Sequence, residues 1–364
     1  MDPVVAPPPE LIDVRKDERF DERRLADWLR GKLPGSELPL AVRQFGGGHA
    51  NLTYLLHYGS GPDAREYVLR RPPLGPVAPS SHDMGREYRV LSVLYQAYPP
   101  APRAYVFCED ATIIGAPFFI MQRRRGIVVR RTIPPHWGGG ADPVVNRKIS
   151  EVLIDTLADL HNVAPRAVGL DTLGKPEGFL RRQIDGWMGR YERAKTKDVP
   201  VVQEVYDWLI AHLPPSPTPT LLHNDWRLDN MMLDPHDPGR CEAVFDWDMC
   251  TTGDPLADLG TLLSAWIEER EGAAGAGQVV MPSNTPGFLL RSEAVERYGR
   301  RRNIDVSNVP YYYAFGVFKI AIVLQQIYVR YHRGQTKDAR FALFEQGAEL
   351  LFWRAKQATE TGTV

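Results

Sequence analysis

The stretch Leu221–Gly260, LLHNDWRLDNMMLDPHDPGRCEAVFDWDMCTTGDPLADLG, decides how this chain is read. Two short apolar runs, Leu221–Leu222 and Met231–Leu233, bracket a polar loop carrying His223, Asp225, Arg227, Asp229 and Asn230. A second run, Glu242 to Phe245, ends at Asp246-Trp247-Asp248. Short β-like runs that stop at carboxylates place those side chains at the rim of a sheet, facing a cleft. Asp225, Asn230 and Asp246 form an oxygen-rich set suited to a hard cation such as Mg²⁺.

Spacing sharpens this. Asp225 and Asn230 stand five residues apart, and Asp246 follows a Pro/Gly/Asp-rich turn, Asp234 to Gly239. Protein kinases space a proton-accepting Asp and a Mg²⁺-holding Asn in this way, with a further Mg²⁺-holding Asp on the next hairpin. Three ordered pieces, His223-Asn224-Asp225…Asn230, Phe245-Asp246-Trp247 and Gly253-Asp254-Pro255…Asp258-Leu259, resemble the aminoglycoside phosphotransferase and choline kinase-like family. Only Asn224 departs, standing where that family usually has Gly. The resemblance implies an α+β, bilobal protein-kinase-like fold. It has a small five-stranded antiparallel N-terminal lobe with one key helix, and a larger, mainly helical C-terminal lobe.

Composition fits such an enzyme and excludes other classes. The 364 residues suffice for two domains or one large bilobal one. Forty-four basic against 45 acidic residues leave a net charge of −1, which argues against nucleic acid as a partner. The three cysteines, Cys108, Cys241 and Cys250, lack metal-type spacing and read as reduced packing residues. The start, MDPVVAPPPE, has neither the basic nor the apolar part of a signal peptide. No run is read as the roughly 20 apolar residues of a membrane span, so a cytoplasmic location is expected.

Along the chain, residues 1–20 read as an extended Pro-rich arm, 21–121 as a nucleotide-binding lobe, 122–126 as a hinge and 127–364 as the catalytic and substrate lobe. Asp21–Leu33 has helical spacing, followed by β-like runs Leu38–Phe45, Leu52–Tyr58 and Glu66–Arg71. Ser81-His82-Asp83 can cap a helix whose Met84, Tyr88, Leu91 and Tyr95 share one face. Strands Ala104–Cys108 and Pro117–Gln122 complete the first lobe. From Asn146 onward the patterns are helical, with Ile149, Leu153, Leu157 and Leu160 as one apolar stripe. Further helices are expected over 179–194, 201–213, 256–269, 288–302, 311–333 and 338–357, with a Gly/Ala/Pro-rich surface loop over 272–287.

Nucleotide contacts are sought in the first lobe. Gly46-Gly47-Gly48-His49-Ala50-Asn51 links the first two strands. Its glycines let backbone N–H groups approach phosphate, and Asn51 adds a donor; an ordinary hairpin turn has the same sequence. No Gly-Lys-Ser/Thr follows, so it is not a Walker A loop. In Tyr67-Val68-Leu69-Arg70, alternation sets Val68 and Arg70 on one face, under the nucleotide, and sets Arg71 on the other. The family usually has a basic residue at Arg70, most often Lys, and Glu87 is its natural ion-pair partner. Phe118–Met121 resembles the family's hinge strand, whose backbone from Met121 through Gln122 to Arg123 would hold adenine.

Within the resemblance, Asp225 orients the acceptor hydroxyl and takes its proton. Asn230 and Asp246 hold Mg²⁺, with Asp248 as a second-metal or outer ligand. Arg227 touches the γ-phosphate or an anionic acceptor, or it bridges to Asp229 or Asp248. His223 reads as a structural anchor, Asp254 and Asp258 as capping or buried pairing residues. Arg123, Arg124, Arg125, Arg130 and Arg131 form a basic run, solvated by default. Tyr311–Tyr313, Phe315, Phe318 and Tyr328 read as core or pocket wall. The runs Val68-Leu69-Arg70-Arg71-Pro72-Pro73 and Arg86-Glu87-Tyr88-Arg89-Val90-Leu91 point to the branch joined to acyl-CoA dehydrogenases. The activity implied is ATP- and Mg²⁺-dependent phosphoryl transfer to a small-molecule hydroxyl, on a hydroxy acid or hydroxyacyl compound rather than an aminoglycoside. Two alternatives stay open: a metal-dependent hydrolase using His223, Asp225, Asp246 and Asp248, and a non-catalytic nucleotide-binding module. Monomer and homodimer are equally compatible with the sequence.

Overall fold

The computed structural model describes residues 11–46, 51–75, 83–274, 281–336 and 338–364. Contacts gather these into two compact units. One holds the described residues through Val128 together with Met231–Cys250; the other holds Val129–Asn230 and Thr251–Val364.

In the first unit, short apolar-rich runs build an antiparallel sheet from β1 (Leu11–Ile12), β2 (Leu40–Phe45), β3 (Leu52–Tyr58), β4 (Arg65–Arg71), β5 (Ala104–Cys108) and β6 (Phe118–Gln122). Their order among the described residues is β1-β2-β3-β4-β6-β5. The five expected strands are all present, and β1 extends the edge, Leu11 opposite Phe45 and Ile12 opposite Gln44. The described part of the arm is therefore bound to the sheet rather than simply extended. Buried polar groups hold it there: Arg71 donates to Glu18 O at 2.8 Å, and Tyr54 Oη donates to the same oxygen at 3.0 Å. Helix α1 (Glu22–Leu29) is capped by Asp21, whose carboxylate accepts from Arg24 N at 3.0 Å. It sinks Leu25 and Leu29 among Tyr54, Leu56, Leu69 and Phe118.

Helix α2 (Met84–Leu94) is capped by Asp83, which accepts from Arg86 N at 3.0 Å. Its buried face is Met84, Glu87, Val90, Leu91 and Leu94, so it is turned from the expected Met84–Tyr88–Leu91–Tyr95 stripe. Tyr88 instead stacks on Phe107 at 5.4 Å, and Glu87 goes inside because an arginine waits for it there. A smaller sheet joins β7 (Ile127–Val128), β9 (Met231–Leu233) and β10 (Cys241–Val244). Ile127 faces Leu233 and Val128 faces Met232. This pairing draws 231–250 into the first unit, although the sequence suggested the C-terminal lobe.

The second unit contains β8 (Thr220–Leu222) paired antiparallel with β11 (Thr251–Gly253), and the helices α3 (Pro143–Asn162), α4 (Phe179–Ala194), α5 (Pro200–Ala211), α6 (Pro255–Ser264), α7 (Arg291–Arg302), α8 (Val309–His332) and α9 (Phe344–Thr361). Ile149, Leu153, Leu157 and Leu160 of α3 are fully buried, as their spacing requires. Helix α8 packs against α4, α5, α6 and α9. By length and composition it matches a membrane span, which the sequence expectation had not credited; most of its apolar window is buried inside the unit. Glycines set its crossing with α6. A Cβ on Gly260 would lie 2.2 Å from Tyr312 O, and one on Gly316 would lie 2.4 Å from Gly260 O. Helix α6 stops at Ser264, five residues before the expected end, and α9 begins at Phe344 after a 3₁₀ turn, Ala339–Leu343.

Candidate functional site

In the second unit the β8 strand hands over to the loop at His223, and Asn224 takes φ 67°. Asn is among the few side chains that tolerate the left-handed region, which accounts for its place where the family usually has Gly. The turn is held from behind. Asp258 of α6 accepts His223 N at 2.6 Å on one oxygen and Asn224 N at 2.9 Å on the other. The His161 ring lies 3.4 Å from the same carboxylate and 2.6 Å from Tyr298 Oη. Burial keeps His161 neutral, so its Nε2–H donates to Asp258 while Nδ1 accepts from Tyr298. Burial opposes the charge on Asp258, but donation from His161 and from the His223 backbone outweighs it and holds the carboxyl below the usual range. Asp254 caps α6, accepting from Leu256 N at 3.0 Å and from Tyr312 Oη at 2.7 Å.

The loop then closes on itself. Asp225 N donates to His223 Nδ1 at 3.3 Å, and the His223 ring meets Trp226 edge-on at 5.5 Å. Asn230 Nδ2 donates to both the carbonyl and the carboxylate of Asp225, each at 2.9 Å. That leaves the Asn230 carbonyl oxygen outside the clamp. Arg227 sits 3.0 Å from Asp229 and 3.4 Å from Asp225, which fulfils the bridge to Asp229 and adds one to the loop's central carboxylate. Asp225, Arg227 and Asn230 are thus brought together. Sequence reasoning missed Lys319 of α8, whose Nζ donates to Asn224 O at 3.3 Å. The available signal was a lone charge: Lys319 is the single Asp, Glu, Lys or Arg between Val309 and Val329.

In the first unit, β4 presents Val68 and Arg70 on one side, while Arg71 turns to the other and donates to Ile114 O at 2.8 Å. Arg70 Nε lies 3.0 Å from Glu87, and its Nη2 pairs with Asp246. All three are largely or fully buried, and one guanidinium serves two carboxylates. Burial therefore pushes Glu87 up to about 7 despite Arg70, with Asp246 and Asp248 adding to the rise. Arg70 feels the opposite balance: burial is outweighed by Glu87 and Asp246, and its guanidinium is held above the ordinary range. Trp247 N donates to Glu87 at 3.3 Å, which ties the Asp246 hairpin to α2. Asp246 itself has φ 69°, a strained setting that non-glycine residues adopt mainly where function or packing demands it.

Other candidates are placed more simply. Gly47, Gly48, His49 and Ala50 lie outside the described residues; Asn51 begins β3's approach and is buried. Met121 pairs with Val68 across β4 and β6, and Gln122 N donates to Arg103 O at 2.8 Å. Arg123 lies 3.4 Å from Glu66, and burial pulls its guanidinium below the usual range. Among the described residues no three His, Cys, Asp or Glu side chains cluster as a metal site of the kind a hydrolase would carry. His223, buried with Nδ1 already accepting, is poorly placed as its ligand. Magnesium asks for less: one or two carboxylates, with waters and phosphate oxygens completing the octahedron. The hard oxygens of Asp246 and Asp248 in the first unit, and the Asn230 side-chain carbonyl in the second, are each of the right donor type.

Comparison with known proteins adds the family. A family model described as the phosphotransferase enzyme family matches residues 41–289. The chain is 35% identical over 359 residues to acyl-CoA dehydrogenase family member 11 of Gallus gallus, covering 94% of this chain and 45% of that protein. To family member 10 of Mus musculus it is 32% identical over 346 residues, covering 91% and 30%. It spans less than half the length of these relatives. A solved structure from Ralstonia eutropha, provisionally described as an aminoglycoside phosphotransferase, superposes with a TM-score of 0.79 at 30% identity, covering 94% of this chain and 99% of that one. The aminoglycoside phosphotransferase APH(4)-Ia, solved with AMP-PNP and hygromycin B, shares the fold at a TM-score of 0.55 and 15% identity, covering 89% and 96%.

Proposed function

Because the chain belongs to the phosphotransferase enzyme family, we propose that it moves the γ-phosphoryl group of ATP to a hydroxyl of a small molecule. The observation that carries this reading is the closed Asp225–Asn230 loop, in which an amide two-handedly fixes one carboxylate 2.9 Å away. Phosphoryl transfer asks the protein chiefly for positioning and charge, which a carboxylate held in place supplies. Asp225 accepts the hydrogen bond of the acceptor hydroxyl and receives its proton. The new O–P bond forms as the bond to the β-phosphate oxygen breaks, and ADP leaves. Arg227, resting between Asp225 and Asp229, is the cation available to the transferring group or to an anionic acceptor. Arg70, fixed by Glu87, is the cation for the nucleotide phosphates.

Asn230, Asp246 and Asp248 are the residues that would hold Mg²⁺, which when bound neutralises phosphate charge. The relatives are named for acyl-CoA compounds, which favours an acyl group on the acceptor; with the hydroxyl the reaction needs, that is a hydroxyacyl compound or hydroxy acid. The test is an ADP-release screen over hydroxyl-bearing metabolites, acyl compounds and antibiotics, with Asp225→Ala as control. Turnover by the native chain that Asp225→Ala abolishes, with nucleotide affinity kept, is the expected result. Turnover that survives in Asp225→Ala removes the assigned base, and silence across the whole screen removes the reading.

A further inference from the structure

Lys319 is chemically out of place. It projects from α8, a helix whose other buried residues are Tyr, Phe, Val, Ile, Ala, Gly and Gln, and it is only half-buried itself. A buried or half-buried ammonium persists where a partner offsets its lost hydration. Here the partner is a peptide carbonyl, Asn224 O, 3.3 Å from Nζ. That carbonyl belongs to the peptide joining Asn224 to Asp225, and the same peptide's N–H donates to His223 Nδ1 at 3.3 Å. The preceding N–H, on Asn224, is taken by Asp258 at 2.9 Å.

The left-handed turn at Asn224 is therefore gripped on three sides by α6, the His223 ring and α8. Of these three, the α8 contact is the one that reaches the carbonyl edge of the peptide leading into Asp225. We propose that Lys319 is a positioning residue for phosphoryl transfer: it fixes the plane of the Asn224–Asp225 peptide and so aims the Asp225 carboxylate. This rests on Asp225 being the proton acceptor of the reaction argued above. The electrostatics agree with the geometry. Burial pulls the ammonium below the usual lysine range, Asp258 and Asp225 pull it back, and Arg190 adds to the lowering. The indole of Trp187 receives both cations, with the Arg190 guanidinium 4.2 Å and Lys319 Nζ 5.7 Å from its ring centre.

Misaiming a catalytic group by an ångström costs about 100-fold in rate. The experiment measures ADP release from MgATP, with the acceptor found by the screen or with water, in the native chain, Lys319→Met, Lys319→Arg and Asp225→Asn. Calorimetric affinity for MgADP and the thermal midpoint are read on each. Lys319→Met is expected to lose about 100-fold in kcat, with MgADP affinity and melting close to native. Lys319→Arg, which keeps a donor, should recover at least about tenfold of that loss. Native kcat in Lys319→Met, a loss matched by weaker MgADP binding, or equal kcat in the Met and Arg variants each overturns the positioning role while leaving the phosphotransferase reading in place. Should Lys319→Met not fold, the Arg variant decides: native-like melting with kcat within about tenfold of native supports the donor role, and a larger loss overturns it. Native turnover that Asp225→Asn fails to reduce removes the reading itself, and the proposal with it.

Discussion

Asp258→Asn is the perturbation whose consequence the structure fixes most closely. The carboxylate accepts two backbone N–H groups on separate oxygens, His223 at 2.6 Å and Asn224 at 2.9 Å, with the His161 ring 3.4 Å from the first of these oxygens. Asparagine keeps the shape but offers one carbonyl oxygen, so its NH₂ must face a backbone N–H. One buried donor is then orphaned, at about 1–3 kcal/mol, and the surviving bond loses its charge assistance, about 1 kcal/mol more. The sum is about 3 kcal/mol, which on a unit of this size lowers its melting point by roughly 6–12 °C. Calorimetric or fluorescence-monitored melting of the whole chain reads it, with Asp225→Asn as a control that alters the loop's charge without touching this support. A variant melting with the native chain would show that the loop is carried by its own internal hydrogen bonds, and the account of Asp258 would be wrong. Turnover should fall as well, since the turn that leads into Asp225 loses one of its anchors.

Glu87 gives a pH dependence of definite sign. Its proton affinity is raised from 4.5 to about 7, so the folded chain holds a proton that the unfolded chain releases, and stability should fall as pH rises through that window. Urea unfolding at stepped pH is expected to show this decline in the native chain and a flatter profile in Glu87→Gln; parallel profiles would refute it. Gly260→Ala places a methyl 2.2 Å from Tyr312 O at the α6–α8 crossing and should cost about 3 kcal/mol, read as a shift in the urea midpoint. At Asn224, with φ 67°, Gly should be near neutral and Ala should cost about 1–2 kcal/mol, the price of the left-handed region; the order Gly, Asn, Ala in thermal midpoint tests it.

What the sequence determined by itself was everything held within a short span of chain. The five strands and the α2 start follow from alternation and from Asp83 as a cap, and the Asp225–Asn230 clamp closes across five residues, so its motif is legible as spacing. The Arg70–Glu87 pair was legible too, because alternation along β4 leaves Arg71 to the opposite face. Only the tertiary structure decided the contacts whose partners lie far apart in sequence. Glu87 shares the buried face of α2 with Met84, Val90, Leu91 and Leu94, where it meets Arg70, while Tyr88 and Tyr95 stay half-buried. Residues 231–250 joined the first unit through strand pairing with Ile127 and Val128. Lys319 meets the loop from 95 positions away, where no periodicity or motif points. Hydrogen bonds to backbone carbonyls leave no trace in side-chain pattern, since every residue carries the acceptor; only folding reveals which one is used.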